Sequence, residues 1–138
     1  ARDIECFGRQ AQAERWQSGA LRQTLKIRRN RQLIWQECSL LNPQHRALTS
    51  KIGLGGNVVS GSFVVAAGSV PAEVREACQQ VVAEGNAMYG VTALPHIFSA
   101  RYVGDSAPLA RKYFEALWMI LRPWYAGREA VRPRIWNT

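Results

Sequence analysis

Histidine and lysine are scarce in this chain, cysteine is sparse, and acidic residues are outnumbered. Two histidines, His45 and His96, lie far apart with no partner one helical turn away, so a stable metal site built from them is not expected. The three cysteines, Cys6, Cys38 and Cys78, are odd in number and form no C-x-x-C, which excludes a disulfide framework and a zinc module. They are expected to be small buried residues. No apolar run approaches the span of a bilayer, and no charged-then-apolar signal segment opens the chain, so the expectation is a soluble, cytoplasmic protein. The start at Ala1, in what reads as the middle of a strand, suggests a processed chain or a piece. Fixed-period repeats and low-complexity segments are also missing, and the 138 residues are read as a single domain, 1–138, long enough to bury a core.

Catalytic constellations are missing as well. The ten acidic residues include no motif that would set two of them around a scissile bond, and no Ser-His-Asp or Cys-His context is present. The glycines Gly53, Gly55 and Gly56 suggest a phosphate-binding loop, but no Gly-Lys-Ser/Thr follows, and Val58 stands where G-x-G-x-x-G needs its last glycine. Residues 42–57 therefore read as a loop that turns the chain into its next strand. The chain is expected not to be an enzyme.

What is present is basic and largely extended. Eighteen lysines and arginines against ten acids give a formal charge of +8. That balance suits a nucleic acid, a membrane surface or an acidic protein partner, although the arginines are scattered as on an ordinary solvated surface. Short apolar runs predict strands at Ile4–Phe7, Ala20–Arg29, Gln32–Leu40, Val58–Ala67 and Ile97–Val103. In the second of these, Leu21, Leu25 and Ile27 alternate with Arg22, Lys26 and Arg28; with Asn30 at the turn, it forms an antiparallel hairpin with the following strand, its outer face basic. A basic strand could cradle a phosphate backbone, but solvation is the ordinary reading.

Two helices are predicted. The first opens at Pro71, repeats Val74, Ala77, Cys78, Val81 and Val82 at helical spacing, and ends at Gly85. The second, capped by Asp105 or Ser106 with Pro108 in its first turn, gathers Leu109, Ala110, Tyr113, Phe114, Leu117, Ile120 and Leu121 on one side and is expected to stop at Pro123. Trp118 lies at the border of that apolar side and Met119 among the charges. Either the chain covers them or they form a partner surface. The same choice applies to Arg134, Ile135 and Trp136 in the tail, where an arginine beside an indole is a frequent anchor between proteins. The fold class is mainly β with two α-helices, α+β.

Five blocks then carry a resemblance: GVTALP (Gly90–Pro95), ARYVGDS (Ala100–Ser106), LW..LRP (Leu117–Pro123), GREA (Gly127–Ala130) and PRIWNT (Pro133–Thr138). In order and spacing they resemble the carboxy-terminal signature of the urease accessory protein family UreD, also called UreH. Gly8, Arg9, Glu14, Arg15 and Trp16 match an earlier family motif, with Gln10 where proline is common and Ala13 where glycine is common. The resemblance covers about Ile4 to Thr138 but only the carboxy-terminal half of the family pattern.

It implies part of a β-helical scaffold with two helices. It also implies a non-catalytic chaperone role, acting with UreF and the GTPase UreG on apo-urease to assist nickel insertion, with UreE as the usual nickel carrier. Nickel would be cargo in transit rather than a stably bound cofactor, along a water-filled path lined by carboxylates and other oxygen or nitrogen donors. Asp3, Glu5, Glu14 and Glu37 are the candidate path residues. The alternative is a small basic nucleic-acid-binding domain resting on the charge and on Trp16, Trp35 and Trp136, against which stands the lack of any recognised nucleic-acid motif.

Overall fold

The computed structural model describes residues 1–8 and 14–133. Among the described residues six strands and two helices alternate with loops in a mixed α/β arrangement: β1 (Arg2–Cys6), β2 (Leu21–Arg29), β3 (Gln32–Leu41), β4 (Val59–Val65), α1 (Ala72–Gln79), β5 (Met88–Leu94), β6 (Ile97–Gly104) and α2 (Ala107–Ala126), with a 3-10 turn at Arg46–Leu48. Strands β1-β4-β6-β5 form one antiparallel sheet in that order, and β2-β3 form a separate two-stranded hairpin. Two helices and two sheets agree with the α+β expectation. Among the described residues no helix is long and apolar enough to cross a membrane.

The period-two alternation of the central strands gives the four-stranded sheet two unlike faces. In β4, Val59, Gly61 and Phe63 are buried while Ser60 and Ser62 are only half-buried. Register carries that difference across the sheet, pairing Gly61 with Tyr102, Phe63 with Ala100, Ser62 with Arg101 and, toward β1, Ile4 with Gly61, Asp3 with Ser62 and Glu5 with Ser60. One face is therefore apolar and the other polar.

The apolar face is covered by α2. Ala110, Tyr113, Phe114, Leu117, Trp118 and Leu121 are its buried residues, a stripe at helical spacing. Phe114 lies among Phe63 (6.0 Å between centroids), Tyr102 (6.5 Å) and Tyr113 (5.5 Å), and Tyr89 stands 5.2 Å from Tyr113. Glycine makes this contact possible: a Cβ on Gly61 would come within 2.7 Å of the Phe114 ring. Ser106 caps α2, its hydroxyl accepting from the Leu109 N–H at 3.3 Å.

Several boundaries differ from expectation. Helix α2 does not stop at Pro123 but runs through it to Ala126 and ends at Gly127, whose left-handed backbone (φ 59°) supplies the C-cap. Pro123 is exposed and in the last turns, so it costs only the hydrogen bond to the Met119 carbonyl. Helix α1 ends at Gln79 rather than near Gly85. Beyond it Val81 and Ala83 turn inward while Val82, 73% exposed, and Glu84 turn out, the alternation of extended chain in place of helix. Strand β5 was not anticipated; its glycine and small residues conceal an edge strand that β6 pairs along its whole length. Only Cys78 is buried. Cys6, at the end of an edge strand, and Cys38, on the outer face of the hairpin, are exposed.

Candidate functional site

The polar face of the sheet is met by the inner face of the hairpin. In β2 the half-buried positions are Leu21, Gln23, Leu25 and Ile27, and in β3 Trp35, Glu37, Ser39 and Leu41. Gln23 is the residue that departs from an otherwise apolar inward row. It crosses to the sheet, donating from Nε2 to Asp3 Oδ2 at 2.6 Å and also to the Glu5 carboxylate. From β6, Arg101 crosses in the opposite sense and donates to Glu37 Oε1, which also accepts from Trp35 Nε1 at 2.8 Å. These contacts frame a cleft of about 590 Å³ with Asp3, Glu5, Gln23, Glu37, Ser60, Ser62 and Arg101 among its lining residues.

Three of the four carboxylates expected on a nickel path are thus in one place. Strand alternation turns Asp3 and Glu5 of β1 to the same side, and the hairpin brings Glu37 over them. The fourth, Glu14, lines a neighbouring depression with Phe7, Arg15, Trp16 and Leu21, where Phe7 and Trp16 stack at 5.6 Å.

The main cleft is lined by the carboxylates Asp3, Glu5 and Glu37 together with the cations Arg2 and Arg101. Burial, the largest influence, pushes the Glu5 carboxyl above its ordinary value; the Gln23 hydrogen bond and Arg101 oppose that shift, while Asp3 and Glu37 add to it. Among the described residues no three histidine, cysteine, aspartate or glutamate side chains are grouped so as to hold a metal ion. In the cleft Asp3 and Glu5 accept from the Gln23 amide and Glu37 accepts from the Arg101 guanidinium. The two histidines take no part: His45 accepts from the Ala47 N–H through Nδ1 at 3.2 Å, and His96 is exposed beside Pro95 in the turn between β5 and β6.

Of the residues singled out for partner contact, Trp118 is 8% exposed, with the Arg122 guanidinium 5.0 Å from its ring centre, whereas Met119 is 45% exposed. The chain covers the indole and leaves the thioether open. Arg134, Ile135 and Trp136 lie outside the described residues. Sequence reasoning missed Gln23, Arg101, Ser60 and Ser62. Their signal was available as polar residues at alternate strand positions, but which strands face each other is set by tertiary pairing.

An antiparallel sheet with one face given to its core and the other to a polar cleft under a hairpin is a mixed α/β fold with two sheets and two helices. The comparisons with known proteins give that fold a family. The model of the UreD urease accessory protein family matches residues 1–137. Similar proteins are the urease accessory proteins UreD of Methylobacillus flagellatus, 58% identical over 136 residues, of Dechloromonas aromatica, 40% over 139, and of an Azoarcus species, 38% over 136. The chain belongs to the UreD urease accessory protein family, a family of non-catalytic proteins. Each alignment covers 99% of this chain and 47–48% of the relative, so the chain spans about half the length of the curated relatives it matches.

Proposed function

We propose that the chain serves urease maturation as part of a longer, β-helical UreD scaffold in the cytoplasm, joining UreF and UreG on apo-urease and lining part of the route by which nickel reaches the metallocentre. The observation that carries this reading is the convergence of Asp3, Glu5 and Glu37 on one cleft between the two sheets, in a chain of this family. Nickel is cargo here. A divalent ion in transit needs oxygen donors that release it, and carboxylates engaged one by one with Gln23 and Arg101 meet that need better than a closed cage would.

The nucleic-acid alternative draws less support. Trp35 is turned inward to Glu37 and Trp16 is stacked on Phe7, so neither indole is interleaved with the basic outer strand as base stacking would require.

The test is recovery of apo-urease or UreF with the tagged chain from cells co-expressing the urease subunits and the other accessory proteins, together with the nickel content of the urease formed. The expected result is recovery of a partner, with nickel loading lowered in Asp3→Ala/Glu5→Ala/Glu37→Ala while partner recovery is retained. Absence of any partner from a folded, soluble chain overturns the scaffold role for this chain. Unchanged nickel loading in the triple variant overturns the path and leaves the scaffold. Met119→Ala, on the exposed side of α2, tests that surface separately.

A further inference from the structure

The outer face of the hairpin is as ordered as the inner one. Register places Arg22 opposite Leu40, Thr24 opposite Cys38 and Lys26 opposite Gln36; after the bulge between Ile27 and Arg28, Arg28 stands opposite Leu33. All eight are exposed, Leu40 at 54% and Leu33 at 41%. The face therefore has two columns. On β2 three cations stand with one threonine, and on β3 two leucines bracket a glutamine and a thiol. No carboxylate is on this face, because Glu37, the strand pair's acidic residue, points inward to Arg101.

Elsewhere on the surface Lys112 is paired with Glu84 and Arg132 with Glu115. Here Lys26 and Arg28 are neighbours on one face of β2, with Arg22 beyond Thr24, and no described residue of that face carries an opposing charge. Their mutual repulsion is relieved by an incoming anion. The adjoining leucines add a requirement that a phosphate backbone does not meet, since they gain by covering apolar surface. No aromatic residue is on the face to stack a base.

We infer that the outer face of β2-β3 binds an acidic, amphipathic polypeptide segment, with its carboxylates along Arg22, Lys26 and Arg28 and its apolar side chains against Leu33 and Leu40. The face is opposite the cleft, so it can be occupied whether or not the cleft carries nickel. The site goes beyond the urease reading and stands or falls without it.

Two labelled peptides of equal negative charge test this, one with glutamates interleaved with leucines and one with the leucines replaced by serines, each titrated into the 138-residue chain and followed by anisotropy. The leucine peptide is expected to bind several-fold more tightly, an advantage that Leu33→Ser/Leu40→Ser removes. Arg22→Gln/Lys26→Gln/Arg28→Gln is expected to weaken it roughly tenfold or more, three opposite-charge contacts being lost together. Neutralising the exposed Arg75, Arg111 and Arg128 in the same way is expected to leave binding nearly unchanged; equal loss in both sets means attraction to net charge alone and overturns the proposal. Tighter binding of a duplex DNA that competes at the same residues also overturns it. Circular dichroism of each variant confirms that the hairpin has folded, and the leucine pair provides a second readout that leaves the cations in place.

Discussion

Replacing Gly61 with alanine puts a methyl group where the sheet and α2 are closest. The new Cβ would lie 2.7 Å from Phe114 Cε2 and 3.0 Å from Cζ, against the ordinary carbon contact of about 3.5–4.0 Å. Something must move by most of an ångström. The Phe114 ring is fully buried and hemmed in by Phe63, Tyr102 and Tyr113, so it cannot swing aside, and the strain passes to the backbone of β4 or α2. Overpacking of this kind costs about 1–3 kcal/mol. Alanine recovers roughly 0.5–1 kcal/mol because it leaves the unfolded chain less conformational freedom to lose on folding than glycine does. The steric term wins, and the expected net loss is about 1–2 kcal/mol, a fall in Tm of roughly 5 °C for a chain of this size.

Urea and thermal unfolding of three variants make the argument refutable. Gly90→Ala, in the same sheet but with nothing within 4 Å of the added Cβ, is expected to be neutral or slightly stabilising. Phe114→Leu added to Gly61→Ala is expected to relieve the clash, so that the double variant loses less than the two singles together by at least ~0.5 kcal/mol. A Gly61→Ala protein that melts with the parent, or a penalty unaltered by Phe114→Leu, would refute the packing account of this interface.

Four further outcomes follow from the same structure. Burial lifts the Glu5 carboxyl above its ordinary 4.5, so the folded chain binds its proton more tightly than the unfolded chain does. Stability should then fall as pH rises from 4.5 through the folded-state value and level off above it, and Glu5→Gln should flatten that slope in urea titrations. Burial pushes the Cys78 thiol up to about 11, so native alkylation at mildly alkaline pH should label Cys6 and Cys38 and spare Cys78 until the chain is unfolded, as read by mass spectrometry. Arg31→Gly should raise stability by about 0.5–1 kcal/mol, since Arg31 holds φ 67° in the hairpin turn, where glycine is preferred. Pro123→Ala should raise Tm by restoring the N–H that the Met119 carbonyl lacks, a gain of about 1 kcal/mol; no gain would mean that this carbonyl is already satisfied by solvent at its exposed position.

Much of the fold is written in local periodicity, and the exceptions have local causes. Helix α2 could be read from Ser106 and the stripe from Ala110 to Leu121 because both are properties of one segment. The overrun past Pro123 was missed because the stop rule weighs a proline's lost hydrogen bond and not its position, and at an exposed site near a glycine C-cap that loss is tolerated. Val81 and Val82 fit a helical stripe and an extended run equally well on paper. The decision between them is made by α2, whose surface accepts Val81 and Ala83 but offers nothing to Val82. Strand β5 was illegible for a related reason: Gly90 and Ala93 give it little character of its own, and it exists because β6 pairs with it.

The cleft lies one level further from the sequence. Each strand announces its own alternation, so the polar sides of β1, β4 and β6 could have been listed in advance, but not that they form a single face or that a hairpin closes over it. Gln23 is the instructive residue. A polar side chain in an inward row costs free energy unless it finds partners, and it finds two carboxylates on a strand eighteen and twenty residues earlier. The polar residue out of pattern marks where the two sheets exchange polar contacts, and the same reasoning separates the two faces of the hairpin: the inner one satisfies its polar groups within the chain, whereas the outer one keeps three cations with no opposing charge among the residues that share its face.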